Sequence, residues 1–184
     1  AFAREGSDLV ITGRTESRLF TAKDKLESEY CVRVLPVVAD GADENSVKSV
    51  VKSALDHFGK INTLINNAQT SKSGLPLVEH TKADFDLAVN SGLYATFFYM
   101  RECFPALKAV KGSVINFASG AGLFGKLGQS SYAAAKEGIR GLSRVAAAEW
   151  GPSGVRVNVV CPLAMTESLK QWKEEYPDLF EKTI

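Results

Sequence analysis

Residues 32–65 read VRVLPVVADGADENSVKSVVKSALDHFGKINTLI, and the apolar pattern of this segment sets the fold class. Its two ends, 32–39 and 61–65, are short runs rich in β-branched residues, which are typical of buried strands. Between them, residues 43–58 repeat apolar side chains at helical spacing along one face. A strand, a helix and a strand in this order predict a βαβ unit with parallel strands, and Pro36 puts the first strand near an edge of the sheet.

The same alternation continues on both sides of this unit. We predict further strands at 8–12, 113–118 and 155–160, helices at 16–30, 81–108 and 131–150, a glycine-rich loop at 120–128 and a helical tail from residue 167. Strands that are apolar on both faces and alternate with helices predict an α/β fold with a parallel sheet. A chain of 184 residues fits a single domain spanning 1–184. Such a sheet binds ligands beyond the carboxyl ends of its strands, so functional residues are expected there.

Composition excludes several classes of partner. The chain holds 22 basic and 21 acidic residues, a net charge of +1 that favours neither nucleic acid nor an anionic membrane. No apolar run reaches the ~18 residues that a membrane span needs. Cys31, Cys103 and Cys161 are widely spaced, which indicates reduced thiols and a cytoplasmic location, although an N-terminal targeting signal would not be visible. His57 and His80 have no metal-type partners nearby in the sequence, so we expect no metal site.

Polar residues follow the first three predicted strands. Arg14 comes just after the first strand, a region where sites that bind NAD commonly place an acid. Its guanidinium fits the 2′-phosphate of NADP, but a solvated surface arginine explains the residue equally well. Asp40-Gly41 follows the second strand and Asn66-Asn67-Ala68 follows the third. Such residues are also common in ordinary turns, so none of these positions identifies a site alone.

A tyrosine and a lysine share one face of the helix at 131–150. Tyr132 and Lys136 are four residues apart, so their side chains are neighbours on the helix surface. An ammonium beside a phenol stabilises the phenolate, which suits proton transfer in a redox step. Alone, this spacing is more typical of an ordinary helix surface. Ser119 follows the fourth strand, and Thr166, after the last strand, offers a hydroxyl that could bind an amide.

Together these motifs resemble the short-chain dehydrogenase/reductase family. Its members carry Asn-Asn-Ala-Gly after a strand, then an Asn in the next long helix, a Ser, and Tyr-x-x-x-Lys. The matching residues, in the same order, are Asn66-Asn67-Ala68-Gln69, Asn90, Ser119, Tyr132 and Lys136. The resemblance covers essentially the whole chain and implies a Rossmann-type, doubly wound parallel sheet in three α/β/α layers. It also implies NAD(P)(H)-dependent hydride transfer between nicotinamide and a carbonyl or secondary alcohol.

The resemblance implies a role for each catalytic residue. Tyr132 is the general acid and base that exchanges a proton with the substrate oxygen, and Ser119 holds that oxygen. Lys136 binds the nicotinamide ribose and supports Tyr132, while Asn90 holds a water that links Lys136 to solvent. The substrate is a small carbonyl or alcohol, and acyl thioesters, sugars, polyols and small ketones all remain open.

The residues expected to bind the cofactor favour NADP(H), with NAD(H) as the alternative. Gly13 stands where NAD-preferring members have an aspartate, and Arg14 stands where NADP-preferring members often have a base. The other cofactor-binding residues expected from the family are Asp40 with Gly41 at the adenine, Asn66 with Ala68 near the adenosine ribose, Tyr132 and Lys136 at the nicotinamide ribose, and Thr166 at the carboxamide.

Three departures from the family pattern bear on these expectations. Gln69 replaces the usual glycine and either narrows the cofactor channel or points away from it. Leu163 replaces a glycine, and Thr166 comes one residue early compared with many members. The family's first strand and glycine-rich turn are absent, and that strand would lie between the strands that hold Val10 and Leu64. We therefore expect a domain that is incomplete at both ends and belongs to a longer chain.

Alternatives remain for catalysis, assembly and substrate binding. A nucleotide-binding sensor or scaffold with the same fold is the alternative to an enzyme, although the four matched catalytic residues argue against it. In the family the two long helices form subunit contacts, so we expect a homo-dimer or homo-tetramer. Five apolar residues either line a substrate pocket or pack within loops: Phe124, Leu127, Met165, Leu169 and Trp172.

Overall fold

Strands and helices alternate along the chain, as the sequence predicts. The computed structural model describes residues 1–165 and 167–183. Within these residues the strands are all parallel and form one two-stranded and one three-stranded sheet. Helices pack against both sheets, which gives a Rossmann-type α/β architecture.

The first sheet consists of β1 (Leu9–Gly13) and β2 (Val34–Val38). Parallel strands need a crossover connection, which helix α1 (Glu16–Tyr30) provides. The Val34 N–H donates a hydrogen bond to Glu27 Oε1 at 2.9 Å, which ties this helix to β2. In the described part of the chain β2 is paired on one side only, in agreement with the edge position that Pro36 predicts.

The second sheet holds β3 (Thr63–Asn66), β4 (Ser113–Phe117) and β5 (Arg156–Val160), with β4 in the middle. Helix α2 (Glu44–Phe58) leads into β3, and the side chain of Asp43 caps its first turn. One core cluster joins this sheet to its helices and consists of Val51, Met100, Cys103, Leu107, Val114, Ala146 and Val155.

A cleft of about 830 Å³ separates the two sheets. Both β1 and β3 line it, with Val10 and Leu64 among the lining residues, and no strand of the described chain connects them. Within the described residues, each sheet therefore keeps one strand edge without a backbone partner at the cleft.

The helix predicted over 81–108 is interrupted, so the prediction of one continuous helix is wrong. Helix α3 (Lys82–Ala88) begins at the expected capping box, Thr81-x-x-Asp84. A π-helical segment, Val89–Tyr94, follows and is called the π-turn below, and helix α4 (Ala95–Val110) continues from it. A π-turn inserts one extra residue into a helix, and such insertions are frequent at functional sites.

The glycine-rich segment at 120–128 is not wholly a loop, because it contains helix α5 (Gly120–Phe124). Helix α6 (Ser130–Trp150) follows, and the helical tail is confirmed as α7 (Glu167–Glu175) and α8 (Pro177–Thr183). Short 3₁₀ turns occur at Ala3–Glu5, Leu77–Glu79 and Gly151–Ser153. Among the residues described, no helix combines the length and the apolar character that crossing a bilayer requires.

Candidate active site

The residues that follow β1, β2 and β3 converge on the cleft. Its lining includes, in chain order, Arg14, Asp40, Gly41, Asn66 and Ala68. All five belong to the cofactor-binding set that the sequence predicts. They meet because the carboxyl ends of parallel strands lie at one edge of a sheet.

A tight turn holds Asp40 and Gly41 after the end of β2. Asp40 Oδ1 accepts the Ala42 N–H at 3.0 Å, and the Asp40 N–H donates to Ser46 Oγ at 3.2 Å. Gly41 packs closely on α4, since a Cβ there would stand 3.2 Å from the Ala95 Cβ. The second carboxylate oxygen of Asp40 is directed to no hydrogen-bond donor of the described chain, so it can accept from the amino group of a base.

Arg14 is an exposed cation that lines the same cleft. It forms no ion pair with the residues that the structure describes, whereas Arg33, Arg101 and Arg140 are each held by carboxylates. A guanidinium offers five N–H donors in a planar fork that matches a phosphate. The cleft therefore contains a guanidinium that can bind an anion through two N–H groups.

Asn66 belongs to a buried polar network that sequence reasoning missed. Its Nδ2 donates to Asn116 Oδ1 at 2.8 Å, and Asn116 Nδ2 donates to Ser143 Oγ at 2.8 Å and to Met100 Sδ at 3.2 Å. Ser143 Oγ in turn donates to the Ile139 carbonyl at 2.6 Å. The network joins β3 and β4 to α6. Its signal in the sequence is Asn116, a polar residue between the apolar Ile115 and Phe117 of β4.

Ser119 lies between β4 and α5 and is half-buried. It caps α5, because its Oγ accepts the Ala121 N–H at 3.1 Å, and the hydroxyl hydrogen stays available for a substrate oxygen. Helix α5 packs closely on α6, since a Cβ on Gly122 would lie 3.2 Å from the Ala133 carbonyl oxygen. The short helix that Ser119 caps therefore packs against the helix that carries Tyr132.

Lys136 is a buried cation in contact with Tyr132. Its Nζ lies 5.5 Å from the centroid of the Tyr132 ring and donates to the Phe117 carbonyl at 2.6 Å, and only 4% of the residue is exposed. Burial lowers the pKa of Lys136 from 10.5 to about 8, an effect that the nearby Cys161 opposes. An ammonium has three donors, so two remain beyond the Phe117 bond for the hydroxyls of a ribose.

Asn90 lies in the π-turn and is exposed. The π-turn packs against α6, since a Cβ on Gly138 would lie 2.7 Å from Leu93 Cδ2. The segment that contains Asn90 therefore packs on the helix that carries Lys136. Thr166, the residue predicted at the carboxamide, lies outside the described residues.

Comparison with known proteins agrees with this arrangement. A family model described as short chain dehydrogenase matches residues 1–177. The chain belongs to the short-chain dehydrogenase family. It is therefore an oxidoreductase, and proteins of this family bind NAD(P)(H).

Relatives within the short-chain dehydrogenase family match this chain over most of its length. A 12α-hydroxysteroid dehydrogenase of a Clostridium species is 58% identical over 188 residues, covering 100% of this chain and 73% of the relative. The levodione reductase of Leifsonia aquatica is 34% identical, covering 95% and 68%. Among solved structures, a levodione reductase superposes with a TM-score of 0.90 at 32% identity, covering 98% of this chain and 71% of that one. An NAD⁺-bound xylitol dehydrogenase superposes with a TM-score of 0.88 at 25% identity, covering 94% and 67%.

Proposed function

We propose that this short-chain dehydrogenase transfers hydride between NADP(H) and a secondary alcohol or its ketone, with Tyr132 as the general acid and base. The observation that carries the proposal is the contact between Lys136 and Tyr132. A buried ammonium lies 5.5 Å from the centre of the Tyr132 ring, which places a charged group beside the phenol that would exchange a proton with the substrate oxygen. The 58% identity to a hydroxysteroid dehydrogenase supports the same class of reaction.

Each polar group has a part in the proposed mechanism. The dinucleotide, when bound, accepts or supplies the hydride at the carbinol carbon. Tyr132 Oη takes the hydroxyl proton during oxidation and returns a proton to the carbonyl oxygen during reduction. Ser119 Oγ donates to that same oxygen, and this bond strengthens as negative charge develops there. Lys136 holds the ribose with the donors that the Phe117 carbonyl leaves unused, and Asn90 holds a water that passes protons between Lys136 and solvent.

We propose NADP(H) as the preferred cofactor, with NAD(H) as the alternative. Arg14 supports this choice, because its guanidinium is exposed, has no ion-pair partner among the described residues and suits a 2′-phosphate. The absence of an acid at Gly13 removes the partner that the ribose 2′-hydroxyl of NAD usually finds. The remaining proposed contacts are Asp40 and Gly41 at the adenine, Asn66 and Ala68 near the adenosine ribose, Tyr132 and Lys136 at the nicotinamide ribose, and Thr166 at the carboxamide.

We propose a ring-shaped, largely apolar alcohol as the substrate, with hydroxysteroids as the first class to test. The name of the 58% identical relative supports this class. Phe124, Leu127 and Met165 support it independently, because these large apolar side chains are 77%, 59% and 54% exposed. Exposed apolar side chains of this size are available to contact an apolar ligand. Trp172 is instead buried and contacts Tyr176, which fits packing within the helical tail.

A substrate panel tests the proposal directly. Hydroxysteroids, simpler cyclic alcohols and the corresponding ketones are assayed by nicotinamide absorbance with each dinucleotide. We expect turnover of at least one ring alcohol with NADP⁺. Binding of the dinucleotide without turnover of any alcohol or carbonyl would instead identify a nucleotide-binding sensor or scaffold with this fold.

We also propose a homo-dimer or homo-tetramer in the cytoplasm. A groove of about 270 Å³ between α4 and α6 supports self-association, and its lining includes Phe97, Met100, Phe104, Leu142 and Val145. Apolar grooves between surface helices are suited to a second protein surface. The unpaired thiols of Cys31, Cys103 and Cys161 support a reducing compartment.

A further inference from the structure

One serine bonds the segment that follows β3 to the π-turn. Ser91 Oγ accepts the Thr70 N–H at 3.0 Å. It also lies 2.8 Å from the Thr70 carbonyl oxygen and 2.6 Å from the Leu87 carbonyl oxygen, and its single hydrogen serves one or other of them. The Leu87 contact is the usual bond of a helical serine to its own helix, but the Thr70 contacts reach a separate segment. Ser91 therefore ties two segments of backbone together.

Gln69 packs against the same π-turn. A Cβ on Gly92 would stand 2.6 Å from Gln69 Cδ, so glycine leaves the space that this side chain occupies. Both amide atoms of Gln69 are buried and lack a hydrogen-bond partner among the residues that the structure describes. An unpaired buried amide costs stability, so an apolar side chain would serve a purely structural contact better. The side chain is turned towards the π-turn, and Gln69 also belongs to the lining of the cleft.

The opposite side of the π-turn rests on α6. Leu93 fills the space above Gly138, where a Cβ would come within 2.7 Å of Leu93 Cδ2. Gly138 is two residues beyond Lys136 on the same helix. The π-turn is thus held between the segment after β3 and the helix that carries the Tyr132–Lys136 pair. Its position depends on both contacts.

We propose that Gln69, Thr70, Ser91 and Gly92 form a clasp that positions the π-turn, and with it Asn90, against the active-site helix. Asn90 immediately precedes Ser91, so a shift of the serine moves the asparagine. Ser91 and Gln69 are positioning residues in this proposal, since they act through Asn90 and touch no reacting atom. The proposal rests on the proposed function, because the role of Asn90 in the proton path is part of it.

Two serine-to-alanine variants, one in the clasp and one outside it, test the proposal. Ser91→Ala removes the Thr70 bonds, and Ser49→Ala is the matched control, because exposed Ser49 bonds only the carbonyl of Asn45 four residues earlier in α2, at 3.0 Å. We expect Ser91→Ala to lower kcat by about ten- to a hundredfold, since small displacements in an active site have effects of this size. The KM values of alcohol and dinucleotide should change less than about twofold. Ser91→Thr keeps the hydroxyl group and should therefore retain most of the kcat of the unsubstituted protein.

A double-mutant cycle tests Gln69 separately. Gly92→Ala should displace the Gln69 side chain and lower kcat, and Gln69→Ala should lower it as well. In the double variant the smaller side chain at position 69 makes room for the new methyl group, so the combined loss should be smaller than the product of the single losses. Independent, multiplicative losses would overturn the part of the proposal that concerns Gln69.

Hydrogen exchange gives a readout that does not depend on turnover. Ser91→Ala should speed exchange of the Thr70 amide and of amides in the π-turn, while Ser49→Ala leaves them unchanged. Unchanged exchange together with unchanged kcat in Ser91→Ala would overturn the clasp. Faster exchange with unchanged kcat would overturn its catalytic purpose. If the unsubstituted protein has no turnover, both the proposed function and the catalytic role of the clasp are refuted. Faster hydrogen exchange in Ser91→Ala would then still support the clasp as a structural contact.

Discussion

Asn116 Nδ2 in β4 donates a hydrogen bond to Ser143 Oγ in α6 at 2.8 Å, and neither side chain is accessible to solvent. The same carboxamide accepts from Asn66 at the end of β3, so one buried amide connects two strands to the helix of the proposed active site. Its oxygen and both of its N–H groups have partners. Fully paired networks of this kind fix the relative placement of the elements that they join.

Asn116→Ala should lower the free energy of unfolding by about 2–4 kcal/mol, because it leaves the Asn66 amide unpaired and opens a gap in the core. Urea unfolding of the purified protein measures the change. Asn158→Ala is the control, since Asn158 is an exposed asparagine in neighbouring β5, and its effect should stay within about 0.5 kcal/mol. Equal effects of the two substitutions would mean that the network contributes nothing specific.

Tyr132→Phe should lower kcat by about 10²- to 10⁴-fold, the usual contribution of a general acid or base. Lys136 still offers its donors to the nicotinamide ribose in this variant, so the dissociation constant of the dinucleotide should rise by less than about tenfold, the loss of one neutral hydrogen bond. Stopped assays of turnover and titration of cofactor fluorescence measure the two quantities. Tyr30→Phe, at an exposed tyrosine of α1, should leave both unaltered. Retention of full activity by Tyr132→Phe would remove Tyr132 from the mechanism.

Arg14→Gln should weaken NADP(H) binding by about ten- to a hundredfold, because a charge-assisted bidentate bond to the phosphate is lost. Binding of NAD(H) should change by less than about twofold, since NAD has no phosphate at that position. Isothermal titration with both dinucleotides measures this selectivity. Arg18→Gln, at an exposed arginine one turn into α1, controls for the loss of positive charge alone. Tighter binding of NAD than of NADP by the unsubstituted protein would contradict the assignment.

Lys136→Met should abolish turnover while making the cofactor-free protein more stable at pH 7, by roughly 1–3 kcal/mol. Burial lowers the pKa of Lys136 to about 8 from 10.5, so the unfolded chain binds a proton that the folded chain does not between these two pH values. The free energy of unfolding of the unsubstituted protein should therefore rise between about pH 8 and pH 10.5. Below pH 8 the folded protein bears the full cost of burying the charged Lys136 ammonium. Urea unfolding across this range should show the rise for the unsubstituted protein and for Lys108→Met, at an exposed lysine, but not for Lys136→Met.

Val145→Glu should convert the proposed oligomer to smaller species. Val145 is 55% exposed and lines the groove between α4 and α6, so a buried carboxylate would oppose association there. Light scattering at micromolar concentration measures the mass. Val78→Glu is the control, because Val78 is 92% exposed in a short turn remote from the groove in sequence. A monomeric unsubstituted protein would contradict the proposed assembly.

Local signals predicted most of the secondary structure. Helix α1 occupies Glu16–Tyr30 as predicted, and α2 differs by one residue because Asp43 is its cap rather than its first helical residue. Periodicity and capping are properties of neighbouring residues, so the sequence carries them directly. The π-turn and α5 escaped prediction. A single inserted residue hardly disturbs an apolar stripe, and glycine content alone could not reveal that Ser119 caps a short helix.

The site was predictable only where the order of motifs identified it. Tyr132 and Lys136 are close in sequence, and their contact follows from helix geometry. Asn116 and Ser143 are 27 positions apart, and Thr70 and Ser91 are 21 apart, so only the folded chain joins them.

The cleft between the sheets leaves strand edges that can form further backbone hydrogen bonds. Strands β1 and β3 line the cleft, and each has one edge without a strand partner in the described chain. Free edges of this kind are templates on which extended peptides add by main-chain hydrogen bonding. An extended segment running between β1 and β3 would bond to both edges at once and join the two sheets into one.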